Sequence, residues 1–199
     1  MNESQVHELL YQSLETETGG VQIYKTAISC AVNEDLKEEW KKYLEETENH
    51  VRVMNRVFAE LGLDPDQETV GRSVVRHKAE GLIAAMEMAK DGGPVTAQLV
   101  AAESVVEAET KDHSNWELIG RVAEHTSGHL ARVLQEAYEE VEEEEDEHLY
   151  HTMGWTREIW IEALGMPAVL PPPEEEKSVT TAIGASRAEQ AREEMLSDS

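Results

Sequence analysis

The stretch from Asp35 to Leu63, DLKEEWKKYLEETENHVRVMNRVFAELGL, runs without proline and without glycine until Gly62. It reads as one long helix: Asn33 is placed to cap a helix starting at about Glu34, and Gly62, with Pro65 close behind, stops it after Leu61. Toward the N-terminus, apolar residues recur at helical spacing from about Glu3 to Ala31, at Val6, Leu9, Leu10, Leu14, Val21, Tyr24 and Ile28. Helices one and two therefore form an antiparallel hairpin.

In the other direction, Val74 to Lys90 reads as a shorter helix ended by Gly92-Gly93-Pro94, and Thr96 to about Glu124 as a third long helix. The chain turns at Thr126-Ser127-Gly128. A fourth long helix then carries Leu130, Val133, Leu134, Ala137, Val141, Leu149 and Ile159 on one side. Four long helices with one short crossing helix between the pairs predict an all-α, antiparallel four-helix bundle over residues 1–165. From Met166 to Ser199, Pro167, Pro171, Pro172 and Pro173 forbid continued helix and Glu174-Glu175-Glu176 is solvated, so this segment is an extended tail. Its end, ASRAEQAREEML, has the pattern of a short amphipathic helix.

Composition agrees with an all-α chain. Only one Phe and five Tyr occur in 199 residues, whereas Ala, Leu, Glu and Lys recur throughout. The formal charge of −25, from 42 acidic and 17 basic residues, repels phosphate backbones and anionic membranes, so nucleic acid is not an expected partner. Such acidity suits a highly soluble protein, as in a salt-rich cell, or one that gathers cations. The single cysteine, Cys30, excludes an internal disulfide. The start, MNESQVHELLYQS, lacks the order of a secretory signal and no apolar run approaches a membrane span, which makes the cytoplasm the expected compartment.

Helix four carries the most specific chemical signal. Glu145-x-x-His148 puts a carboxylate and an imidazole one turn apart, where both interrupt the apolar line Leu134, Val141, Trp155, Ile159. In di-metal carboxylate bundles one helix supplies a glutamate and a histidine at this spacing while another adds a further glutamate. Glu145 lies within an acidic run, EEVEEEEDE from Glu139 to Glu147, with His148 directly after it, and by composition alone such a run is solvated surface.

Helix one offers Glu17 on the line Leu10, Ser13, Gly20, Tyr24, and a buried lone carboxylate is costly unless something such as a metal ion compensates its charge. Gly19 and Gly20 each cost on the order of 1 kcal/mol inside a helix, which points to a neighbour packing closely there. Tyr24 reads either as a hydrogen-bond partner of a ligand carboxylate or as a core tyrosine with no such role. Helix two offers Glu46 and His50, four residues apart instead of three, with Thr47 where the usual pair has glutamate; His50 reads equally well as a structural histidine. In helix three Glu103, Glu107, Glu109 and His113 compete. The line Leu99, Ala102, Val106, Glu109, His113, Trp116 favours Glu109, and Trp116 follows Glu109 by seven residues as Tyr24 follows Glu17, with Glu107 and His113 left open. His151, one turn beyond His148, suits an outer partner of the site or the surface. His77 and Glu80 lie away from the line.

The stretch from Asp35 to Leu63 resembles the second helix of the YciE/YciF-type ferritin-like proteins, whose pattern there is close to ELKxxxxxHLEETxxQVxRLxxVFxxLG. AEGLIAAMEMA, residues 79–89, is similar to the GLI-containing crossing helix of that group. The resemblance spans roughly Glu8 to Glu124. It implies a ferritin-like bundle with a non-haem centre of two Fe ions or Mn, held by Glu17, Glu46, His50, Glu109, Glu145 and His148, with Thr47 departing from the family pattern. The leading expectation is an oxidoreductase passing electrons from metal to dioxygen or peroxide, as a ferroxidase, a peroxide-removing enzyme or a manganese catalase. Non-catalytic metal storage, or a metal-free structural stress protein whose tail segment SVTTAIGASR docks a partner, are the alternatives. A homo-oligomer, dimer or larger, is expected.

Overall fold

A computed structural model of the protein describes residues 1–173, so the amphipathic and docking segments expected in the tail lie outside the described residues. Among those residues there are five α-helices and no strand: α1 (Glu3–Cys30), α2 (Glu34–Leu61), α3 (Val70–Ala89), α4 (Pro94–Glu124) and α5 (His129–Ala163). None is long and apolar enough to cross a membrane.

Local chemistry sets the helix ends. The Asn33 side chain accepts from the Leu36 amide at 3.1 Å, and Gly62, at φ 67°, closes α2 while the Leu63 amide donates back to the Phe58 carbonyl. The crossing helix starts earlier than its apolar pattern indicates, at Val70, because Thr69 caps the Arg72 amide and the Arg72 guanidinium ties down the carbonyls of Pro65 and Gln67. Arg72 and Arg76 also grip Glu15, fastening α3 to α1.

Neighbouring long helices run antiparallel, early residues meeting late ones. Tyr11 of α1 meets Phe58 of α2 with ring centroids 5.2 Å apart, and Tyr24 meets Tyr43 at 6.1 Å. Between α2 and α5, Arg56 pairs with Glu140 and Lys42 with Glu147. Trp160 of α5 donates to Glu103 of α4, and His113 faces Asp146. Asn115 of α4 donates to Thr16 of α1, while Gln98 accepts from the Val32 and Asn33 amides that follow α1. The remaining helix, α3, packs on α1 and α4.

The close approach that the glycine pair calls for is present. A methyl group on Gly19 would meet the Ala79 Cβ of α3 at 2.9 Å, and one on Gly20 would meet Thr47 Cγ2 of α2 at 3.3 Å. Because Ala79 Cβ is fixed to the α3 backbone, Gly19→Ala is expected to push the helices apart and destabilise by roughly 1–2 kcal/mol despite the gain in helix propensity. Thermal melts check this, with Gly19→Ala plus Ala79→Gly recovering most of the loss.

The core is divided in two. One apolar cluster gathers Leu10, Leu14, Met54, Phe58, Trp116, Ile119 and Leu134; the other gathers Tyr24, Ala27, Trp40, Tyr43, Met86, Val105 and Trp155. A layer of buried polar side chains lies between them along the helices. Beyond α5 the chain folds back, so residues 166–173 are not free of the helices: the Val169 amide donates to Glu158, Leu170 packs on the second cluster, and buried Pro172 lies over Gly154.

Candidate metal centre

The inward stripes of four helices bring the polar layer together. On α2 the buried positions Leu36, Trp40, Tyr43, Thr47, His50, Met54 and Val57 alternate by four and three residues, and on α4 the line is Ala102, Val105, Glu109, Asp112, Trp116, Ile119, Ala123. Glu17 of α1 and Glu145 and His148 of α5 complete the layer; all six acidic and histidine side chains of it are at most 4% exposed.

His50 Nδ1 lies 2.8 Å from Glu145 Oε1, out of line for a hydrogen bond, and 3.7 Å from Glu17 Oε2. His148 Nδ1 lies 3.8 Å from Glu109 Oε2 and 3.9 Å from Glu145 Oε1. The two imidazole rings stack at 5.6 Å. Atoms of His50, Glu145 and His148 fall within 4.8 Å of one another, as do atoms of Glu17, Asp112 and Glu145. Ligands sharing one ion with bonds of about 2.1 Å are at most about 4.2 Å apart, so side-chain shifts of a few tenths of an ångström would let either trio hold a cation. Glu145 belongs to both.

Each histidine is anchored from outside. His50 Nε2 is 2.8 Å from Glu144 Oε2 and His148 Nε2 is 2.9 Å from Glu46 Oε2. A carboxylate accepts, so each Nε2 carries the hydrogen and each ring turns Nδ1 inward. Trp116 Nε1 donates to Glu17 Oε1 at 2.7 Å, fixing that carboxylate. Across the site, the buried Tyr24 hydroxyl is held well above its ordinary range by burial and by Glu109. Trp116 of α4 thus serves the Glu17 carboxylate of α1, and Tyr24 of α1 stands beside Glu109 of α4.

Burial and mutual repulsion raise the acids. Glu109 and Asp112 are pushed well up, first by burial and then by their acidic neighbours, and Glu145 rises to about 7, burial outweighing the help of His50. Burial alone would depress His50, but Glu145 and Glu17 hold it up to about 12; His148, buried and beside that positive ring, falls to about 3. Seven buried atoms here have no hydrogen-bond partner: Glu17 Oε2, Tyr24 Oη, His50 Nδ1, Glu109 Oε2, Asp112 Oδ1, Glu145 Oε2 and His148 Nδ1. Native interiors leave only a few such atoms in 100 residues, so seven in one layer is a concentration that a bound cation could compensate.

Of the residues expected to bind metal, Glu17, His50, Glu109, Glu145 and His148 come together, whereas Glu46 stands outside on the outer nitrogen of His148 with Lys42 at 3.8 Å. It sits one position off the α2 stripe; the stripe position is Thr47, whose hydroxyl donates to the Tyr43 carbonyl. Glu103 and Glu107 are exposed, and His113 pairs with Asp146 away from the layer. Asp112 joins the layer without having been singled out, although Glu109-x-x-Asp112 repeats the spacing of Glu145-x-x-His148. His151 is buried, in a second group with Glu39 and Tyr43. His77 and Glu80 are exposed.

No family model, no curated protein and no solved structure matches the chain.

Proposed function

We propose that this protein is a ferritin-like four-helix bundle of the YciE/YciF type, holding two iron or manganese ions and oxidising Fe(II) or removing peroxide or oxygen. The observation that carries the reading is the convergence of seven unpartnered buried atoms from α1, α2, α4 and α5 between two apolar clusters. The antiparallel contacts, with α3 crossing between α2 and α4, support the bundle layout.

Glu17, Asp112 and Glu145 would hold one ion, and His50, Glu145 and His148 the other, with Glu109 beside His148. Ions held there supply one-electron steps to dioxygen or peroxide. The chain's own contribution is to hold charge and exclude water. Trp116 fixes Glu17, while Glu144 and Glu46 keep both imidazoles turned inward. Tyr24 retains its proton beside Glu109, so its hydroxyl stays a neutral hydrogen-bonding group at the edge of the layer. The flanking apolar clusters keep bulk water from the layer.

The test is metal content of protein purified without chelator. Roughly two Fe or Mn per chain are expected, and less than about one overturns the reading. Oxygen consumption on adding Fe(II), or peroxide consumption by manganese-loaded protein, then separates the two activities.

Uptake is also expected to release protons. Without a cation, His50 and Glu145 both carry protons at about pH 6, since their values stand at about 12 and about 7. A cation must displace them, so affinity rises with pH and loading acidifies a weakly buffered solution by at least about one proton per chain. Equal affinity at about pH 6 and about pH 8 would contradict these protonation states.

A further inference from the structure

We propose that the seam between α2 and α5 is the path by which a divalent cation reaches the central layer, with Glu46 and Glu144 passing it from solvent to the inward histidines. This rests on the metal-binding reading and adds a route to it. The other sides of the layer carry cross-helix contacts, and between α4 and α5 His113 meets Asp146 at 3.3 Å and the Tyr150 ring at 5.8 Å. Toward α1 and α4, Trp116 is bonded to Glu17 and Asn115 to Thr16; between α1 and α2, Thr47 is pressed against Gly20. Above and below lie the two apolar clusters.

At the α2/α5 seam a single carboxylate separates solvent from each imidazole. The Glu144 side chain is 37% exposed yet touches His50, which is 0% exposed; the Glu46 side chain is 20% exposed and touches His148, also 0% exposed. Behind each outer bond lies an unpartnered Nδ1 that faces the inner acids. Glu147 and Glu39 continue the line of half-exposed carboxylates on the same face. Lys42 lies across it, 2.6 Å from Glu147 and 3.8 Å from Glu46, as a resident cation that an incoming ion would displace. The acidic run of α5 thereby acquires a use: part of it forms a negative funnel that raises the local cation concentration and speeds encounter.

Stopped-flow mixing with Co(II) alone, followed by its visible absorption, tests the route. Glutamine can still accept from the imidazole Nε2–H, so Glu46→Gln with Glu144→Gln removes charge while retaining the anchors. This pair is expected to slow association about tenfold or more and flatten its salt dependence, with the same final stoichiometry. Glu107→Gln with Glu117→Gln, an exposed pair on α4 that removes equal charge, is expected to change the rate less than about twofold. Equal rates in the two pairs, or a seam pair that alters only dissociation, would overturn the route and leave the two glutamates as positioning residues. Should the seam pair fail to fold, Lys42→Gln is the independent test: it is expected to speed uptake a few-fold, and an unchanged rate overturns the proposal. A parent protein that takes up no Co(II) overturns the metal reading and the route together, an outcome distinct from uptake by another path.

Discussion

Glu145→Ala is expected to deplete the protein of bound metal, lowering affinity by more than the 10–100-fold typical of losing an outer partner of a ligand. Glu145 is the residue that both trios share, and it is 1% exposed, so no solvent-borne group replaces its carboxylate readily. In the parent protein a cation at about 100 times its dissociation constant adds about 2.7 kcal/mol of stability, a rise of roughly 5–10 °C in melting temperature for a chain of this size. The alanine variant should show almost none of that rise. Thermal melts with and without added Mn(II), together with metal content, measure both effects; retention of two ions by the variant would remove Glu145 from the ligand set.

Asp112→Asn is expected to act in opposite directions with and without metal. Its carboxyl is pushed well up by burial and then by Glu17, Glu145 and Glu109, so the metal-free fold carries an acid that its surroundings disfavour in the charged form. The sign follows from linkage: a carboxyl whose folded value lies above its unfolded one lowers stability once pH exceeds the unfolded value, and the loss is complete above the folded value. Removing the acid should stabilise the metal-free protein near neutral pH by roughly 1–3 kcal/mol, or several degrees, while weakening cation binding. Such a trade of stability for function is common at binding sites. A variant less stable than the parent in chelator would show that Asp112 is a structural acid.

The helices were legible because their signals are local. Asn33, Gly62 and the Gly-Gly-Pro before α4 act within a few residues, and the structure uses each of them where the sequence has it. The early start of α3 was not, since it depends on Arg72 reaching loop carbonyls and Glu15 of another helix. The centre was legible where residue type and stripe agree, as at Glu17, Glu145 and His148. On α2 they disagree: residue type selects Glu46, but the stripe that buries Tyr43 and His50 selects Thr47 between them. On α4 a line drawn through Val106 and His113 is one residue off the buried line through Val105 and Asp112. A rotation of about 100° exchanges an exposed-side histidine for a buried aspartate, and periodicity alone does not fix the helix phase that finely.

The divided core also bears on how the chain comes apart. Each apolar cluster draws residues from all four long helices, so each is a cooperative unit, while the layer joining them contributes charge instead of apolar burial. Amide hydrogens around Glu17, His50, Asp112 and Glu145 should consequently exchange with deuterium sooner than those within either cluster when chelator is present. A cation gripped by all four helices would work as a rivet at that waist, making two loosely linked halves melt as one.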